Sequence, residues 1–242
     1  MSDLPRKLKT DAIVEALLEI RFEHNDLWEV VVGRIVSADF LKGCQQTRLP
    51  IGDMPAQLRD MDPNLRYQPT IQLQRSDLVV RLGPRVMSVH AAAPYPGWDK
   101  FFPILCHATE ALFGTASAIS IGRLGLRYIN AFWDVHGVTS PRDLQLSINV
   151  AGKEIEAFAL MHRANDNPEF TTNVSIATKQ FVAGNVPPQS QLFVDIDVFN
   201  ENAQGAASVK DVAAWVDAAH DLEKRTFFSL LHEETISRLR EE

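Results

Sequence analysis

The sequence ISIGRLGLRYINAFWDV, residues 119–135, decides the fold of this chain. Leu124, Leu126 and Tyr128 occupy every second position, and Arg127 lies between the last two of them. Successive side chains of a strand point to opposite faces, so this alternation is typical of a strand with one apolar and one polar face. We predict one long, bent strand here.

The N-terminal segment carries the same pattern. The residues VEALLEIRFE at 14–23 alternate between apolar and charged side chains, which predicts a strand with one buried face. Asp26 and Glu29 have the spacing of a capping box, so a helix is expected to follow and to end near Gly43. The proline-rich segment 49–69 favours a surface connection over a regular element.

Three short apolar segments then occur between turn residues. They cover 71–75, 78–82 and 86–90 and predict a three-stranded meander. Apolar residues at helical spacing over 98–113 predict a helix, and Gly114 is a suitable end for it.

The C-terminal half has the patterns of further strands and one helix. Strands are predicted at 144–150, 155–163, 170–178 and 191–199, since each segment is bounded by turn residues. Ser208 begins a capping box, and the apolar stripe that follows it predicts a terminal helix that covers one face of the sheet.

The order of these elements predicts an α+β fold. Strands come in consecutive blocks, which favours a largely antiparallel, strongly bent sheet with about three helices packed on one of its faces. The two halves share a plan of strands closed by a helix, without a repeat at the level of residues. We predict a single domain over residues 1–242, and a subdivision near residue 115 is the alternative.

Composition limits the environment and the partners of the chain. The formal net charge is −7 and the basic residues are scattered, so a nucleic-acid partner is not expected. No apolar run approaches the roughly 18 residues of a membrane span, and the first residues lack a signal-peptide pattern, which predicts a cytoplasmic protein with no membrane partner. Cys44 and Cys106 have no ligand or disulfide spacing and are predicted to be reduced thiols.

The sequence carries no recognisable catalytic motif. Phosphate-binding loops and nucleophile elbows are absent from it. Arg85 and His90 match a ribonuclease spacing, but they belong to a predicted strand that places them on opposite faces. His220 and Glu223 lie three residues apart in the terminal helix, and a solvated pair is favoured because no further ligand completes a metal shell. No catalytic residue, metal or cofactor is predicted.

Charged residues occur on one face of three predicted strands. They are Glu19 and Arg21, Arg123 and Arg127, and Asp195 and Asp197. One interpretation is a groove that binds an anionic or zwitterionic ligand through arginine, with carboxylates holding a divalent ion. The favoured interpretation is a set of cross-strand ion pairs, because an antiparallel sheet commonly leaves one face in water.

Five segments together resemble a bacterial protein family. They are DAIVEALLEIRF (11–22), PYPGW (94–98), RLGLRYIN (123–130), FVDIDVF (193–199) and AHDLEKRTF (219–227). The family is sporadically distributed, of about this length, and functionally uncharacterised. The resemblance implies a single cytoplasmic module of an accessory system, such as defence or toxin neutralisation. Arg127, Tyr128 and Asn130 lie in its most recognisable motif, so Tyr128 and Asn130 join the six charged residues as candidates for ligand binding.

Two functions are carried forward. The first is a non-enzymatic interaction or regulatory protein, whose partner is another protein or a second copy of the chain. The alternative is a barrel that binds a ligand or a metal and phosphate, similar to the triphosphate tunnel enzymes. Glu19, Arg21 and Glu23 bear a superficial likeness to the acidic strand of those enzymes, but the expected Glu-x-Glu-x-Lys pattern is not present.

Overall fold

The computed structural model describes residues 4–5, 8–91, 93–115, 118–182 and 186–240. The strands are β1 (Ile13–Glu23), β2 (Gln45–Arg48), β3 (Ile71–Arg75), β4 (Leu78–Gly83), β5 (Val86–Ala91), β6 (Ser120–Phe132), β7 (Asn149–Val150), β8 (Lys153–Glu154), β9 (Ala159–Asn167), β10 (Phe170–Thr178) and β11 (Leu192–Asn200). The helices are α1 (Trp28–Val36), α2 (Ala56–Met61), α3 (Trp98–Phe113), α4 (Val209–Ser229) and α5 (Glu233–Leu239).

Nine strands form one antiparallel sheet, so the predicted α+β class with an antiparallel sheet is confirmed. The strand order is β2-β3-β4-β5-β1-β6-β11-β10-β9, and β7 pairs with β8 alone. Strands from both sides of residue 115 belong to this sheet, because β1 and β6 pair along nearly their whole length. β2 and β9 are its two edges.

The central strands have one apolar and one polar face, as the alternation of their residues predicts. In β1, Leu18 and Ile20 are fully buried, whereas Glu19 and Arg21, which alternate with them, are partly exposed. Leu18 lies opposite Leu126 of β6, so the apolar faces of the two strands continue one another. A shift of the register by one residue would move every one of these side chains to the wrong face, which fixes the pairing.

Three helices cover the apolar face. Helix α4 packs on β6 and β11, α3 packs on β5 and α4, and α1 packs on α3. Gly97 precedes α3 with a φ of 88°, a backbone conformation that favours glycine. Pro103 is the sixth residue of α3, so it lies in the second turn and removes one helical hydrogen bond there. No helix in the described part of the chain has the length and apolar character to cross a bilayer.

The prediction of a strand at 144–150 was wrong, although the apolar side chains there alternate. Only Asn149–Val150 is a strand, and the Gln145 backbone N–H donates to the Leu230 carbonyl at the end of α4. The alternation reflects packing beside that helix end instead of a sheet ladder. The next predicted strand, 155–163, is shifted along the chain to Ala159–Asn167.

Other boundaries also differ from prediction. Helix α1 ends at Val36, before the predicted Gly43, and Leu27 precedes it without a side-chain cap. The predicted connection 49–69 contains α2, and the terminal helix stops at Ser229 before α5. Strand β2 was not predicted, because its four side chains are polar and exposed. Of the turn predicted at 184–188, residues 184–185 lie outside the described residues.

The predicted cap of α4 is confirmed and supports a quantitative test. The Ser208 hydroxyl accepts the Asp211 backbone N–H and donates to the Asp211 carboxylate. Because this cap satisfies one of the orphan donors of the first turn, Ser208→Ala is expected to lower the free energy of unfolding by about 1 kcal/mol in urea denaturation. Ser229→Ala, at the opposite end of the same helix, is the control, and an equal loss there would contradict the role of the cap.

Candidate functional site

Six of the eight candidate residues lie together on the open face of the sheet. The Arg123 guanidinium, whose side chain is only 10% exposed, donates to Glu19 at 2.9 Å and to Asp197 at 3.0 Å. It also donates to Glu201 on the loop after β11 at 3.3 Å. The positive charge of a buried arginine with three carboxylate partners is well compensated. These bonds within the protein leave the Arg123 guanidinium unsuited to bind a ligand.

The other candidate residues of this open face are paired as well. Arg127 donates two hydrogen bonds to Asp195, at 2.7 and 2.5 Å, and Arg21 donates to Glu19 at 2.8 Å. Asp195 raises the pKa of Arg127, whereas burial raises the pKa of Asp197 despite its arginine neighbours. The arrangement has the character of the predicted cross-strand ion pairs.

A serine, a histidine and a glutamate form a chain of hydrogen bonds on the same open face. The Ser88 hydroxyl lies 2.9 Å from His90 Nε2, and His90 Nδ1 lies 2.7 Å from Glu15 Oε1. The hydrogen bond to His90 lowers the pKa of Glu15. This order matches that of a hydrolytic triad. Ser88 and His90 are only 7% and 6% exposed, however, so the hydroxyl does not present itself to a substrate.

Tyr128 and Asn130, the other two candidates, lie on the helix-covered face and line a cavity of about 630 Å³. Its walls come from β6, from the start of α3, from α4 and from the segment that precedes β1. We call this space the α3–α4 cavity. Four stretches of chain that are remote in sequence converge on it, which is typical of a ligand site between packed elements.

Aromatic rings form one wall of the α3–α4 cavity. Trp98 and His220 stack with their ring centroids 3.8 Å apart and their planes 3° apart. Tyr95 meets Tyr128 edge to face, with ring centroids 5.7 Å apart and hydroxyl oxygens 3.0 Å apart. Burial raises the pKa of both tyrosines above the ordinary value, so both hydroxyls stay protonated.

The carboxyl group of Glu223 is the unusual member of the cavity. Glu223 is only 6% exposed, and its carboxyl bonds to none of the described residues. Burial raises its pKa from the ordinary 4.5 to about 8, against the opposing charge of Lys224 and with a smaller contribution from the charge of Asp11. Burial of an acidic group that is hydrogen bonded to none of the described residues costs stability, and such groups are characteristic of functional sites.

His220 offers a second unused polar group. Burial, helped by the charge of Lys224, lowers its pKa to about 4, so the imidazole is neutral at physiological pH. Neither ring nitrogen is hydrogen bonded to a described residue. Because His220 and Glu223 lie three residues apart on α4, they occupy the same face of the helix.

The sequence contains a signal for this site that the motif search missed. Glu223 falls four residues after Ala219 and four before Phe227, within the buried stripe of α4. A glutamate at a position that the periodicity assigns to the core is either paired or functional. The interpretation of His220 and Glu223 as a solvated pair was wrong for Glu223, which is buried in the stripe, whereas His220 is only partly buried.

Within the described ranges, no group of three or more His, Cys, Asp or Glu side chains is placed to hold a metal ion. No model of a known protein family matches the chain, and no curated protein matches it either.

Proposed function

We propose that this protein is a non-enzymatic regulatory protein whose interaction with a protein partner is controlled by a small molecule in the α3–α4 cavity. The observation that carries the proposal is Glu223, a buried carboxyl group that lines a cavity and is hydrogen bonded to none of the described residues. Natural proteins rarely retain such a group for stability, since replacing it with an apolar residue would be favourable. A ligand that forms hydrogen bonds with the Glu223 carboxyl group would offset the free-energy cost of burying it.

The position of the cavity suits regulation. Tyr128 belongs to the central strand β6, Glu223 to α4 and Tyr95 to the loop before α3. A ligand that contacts all three contributes to the packing of the helices on the sheet. Its binding free energy therefore shifts the balance between arrangements of these elements by the difference in its affinity for them.

Edge strand β9 supports a protein partner. It is nine residues long, and it pairs only with β10 on one side. Met161 in this strand is 70% exposed, so this edge of the sheet includes apolar surface. Long unprotected edges are the usual place for strand addition by a second chain. We propose that the partner is a protein, and a second copy of this chain is one form of it.

The resemblance to a sporadically distributed bacterial family supports a place in an accessory system, such as a defence system, and this placement is a proposal. The alternative of a metal and phosphate barrel has less support. β2 and β9 end the sheet order without pairing to each other, and the arginines of the open face are bonded to carboxylates.

A thermal-shift screen tests the proposal. Wild-type protein is heated with several hundred water-soluble metabolites, in parallel with Glu223→Gln and with Glu110→Gln, an exposed glutamate of α3 outside the cavity. A ligand at 100 times its Kd adds about 2.7 kcal/mol, which raises Tm by roughly 5–10 °C for a chain of this size.

The expected result is at least one compound that stabilises wild type and Glu110→Gln but not Glu223→Gln. The proposal fails if every stabilising compound acts equally on all three proteins, because such compounds bind elsewhere.

A further inference from the structure

Two acceptors on α4 point to the chemistry of the ligand. Glu223, when ionised, accepts hydrogen bonds only, and neutral His220 has one ring nitrogen that accepts. They lie on one helix face at a spacing of about 5–6 Å between Cβ atoms. Neither accepts a hydrogen bond from a described residue. The complement of two neighbouring acceptors is a ligand with at least two N–H donors.

The charges around the cavity favour a cation. Among the described lining residues five are acidic and two are basic, namely Asp11, Asp99, Asp217, Asp221 and Glu223 against Lys100 and Lys224. This excess of negative charge attracts positive ligands and repels anions. An anion in contact with Glu223 would add a second unpaired charge to a buried site, which is costly.

The aromatic wall favours a flat ligand. Trp98, Tyr95 and Tyr128 present ring surfaces to the cavity, and such rings attract cations within about 6 Å of their centroids. Planar nitrogen cations combine stacking with directional N–H donation, whereas an ammonium group carries a compact, strongly hydrated charge.

We propose that the α3–α4 cavity binds a compact planar organic cation of the amidinium or guanidinium class, with its N–H groups donating to Glu223 and His220. This inference rests on the proposed function, since it names the ligand class of the same site. Binding replaces the proton of the carboxyl group with the cation. The carboxylic acid gives its proton to solvent, and the carboxylate pairs with the ligand.

The raised pKa of Glu223 gives this exchange a pH dependence. With a pKa of about 8, roughly one carboxyl group in ten is ionised at pH 7 and most are ionised at pH 9. The affinity for a cation is therefore expected to rise about tenfold over this range. The titratable groups that face Glu223 come from α4, the start of α3, β6 and the segment before β1: Asp217, His220, Asp221, Lys224, Tyr95, Asp99, Lys100, Tyr128 and Asp11.

Three probes of nearly equal size test the ligand class. Benzamidinium is a planar cation, benzamide is its neutral counterpart and benzoate is an anion. Each is titrated into the full chain at pH 7 and pH 9, and binding is followed by the NMR signal of the Trp98 indole N–H, which lies beside the cavity 3.4 Å from Asp217. Trp98→Phe identifies that signal among the four tryptophans of the chain.

The expected order of affinity is benzamidinium, then benzamide, then benzoate, with about tenfold between the first two. Glu223→Gln is expected to weaken benzamidinium about tenfold and to leave benzamide nearly unchanged, whereas the Glu110→Gln control keeps the wild-type order. The proposal is overturned if benzamidinium does not bind, if benzamide or benzoate binds at least as tightly, or if Glu223→Gln binds benzamidinium like wild type.

The two levels of inference fail differently. If the metabolite screen yields an anion or a neutral compound that depends on Glu223, the ligand class is wrong and the regulatory site remains. If no compound depends on Glu223, the proposed function itself is wrong.

Discussion

Replacing Glu223 with glutamine is expected to stabilise the protein by on the order of 3–5 kcal/mol at pH 9 and by very little at pH 5. At pH 5 the buried carboxyl group is protonated, so wild type and variant carry similar neutral groups at this position. At pH 9 the wild-type group is ionised without a partner, and the amide avoids that cost.

The sign follows from the proton affinities of the two states. Glu223 has a pKa of about 8 in the folded protein and an ordinary value of 4.5. Between these values the folded state holds a proton that the unfolded state has lost, so the stability of wild type falls as pH rises through this window. The stability of the glutamine variant does not fall for this reason, because glutamine does not ionise.

Urea denaturation of both proteins at several values between pH 5 and pH 9 measures the effect. All other titratable groups are common to the two proteins, so the difference between their unfolding free energies isolates Glu223. A difference that stays constant with pH would show that the carboxyl group is solvated or paired, and the cavity would lose its distinguishing feature.

Arg123→Met is expected to destabilise the protein by about 3 kcal/mol, the lower end of the range for a buried pair, because it leaves partly buried carboxylates without their cation. Asp197 suffers most, since burial already raises its pKa with the arginine present. The Arg123 guanidinium also lies over the Phe199 ring, at 4.9 Å from its centroid, and this contact is lost as well.

Arg142→Met is the matched control for this second prediction. Arg142 also bonds two carboxylates, Glu154 and Glu156, but its side chain is 61% exposed, so the loss is expected to stay below about 1 kcal/mol. The double variant Arg123→Met, Asp197→Asn should recover part of the stability of the single variant. Equal losses for Arg123→Met and Arg142→Met would argue against a buried network on this face.

Long strands with many alternating residues were easier to predict than short ones. β1 and β6 have many alternating positions, so their buried and polar faces were predictable from the residues alone, whereas their pairing was not. β2 has four exposed polar residues, and only its register with β3 makes it a strand. Segment 144–150 alternates for a different reason, since its apolar residues pack beside the end of α4, and local periodicity cannot distinguish the two causes.

The site was less predictable than the fold. Tyr128 and Asn130 were among the candidates, but they were grouped with charged residues that lie on the opposite face of the sheet. The cavity forms because α4 packs on β6 and because the loop before α3 reaches Tyr128. Both are tertiary contacts, which local sequence patterns do not reveal. Glu223 alone left a local trace, because it interrupts an apolar helical stripe.

Arg127 and Tyr128 are joined by one peptide unit, yet the first belongs to the ionic cluster and the second to the cavity wall. The single strand β6 therefore separates the ionic cluster from the cavity. A displacement of this strand would therefore move the cavity wall and the Arg127–Asp195 ion pair together. The proposed regulation would use this connection, because a ligand that shifts β6 from the cavity side would also shift charged side chains on the open face.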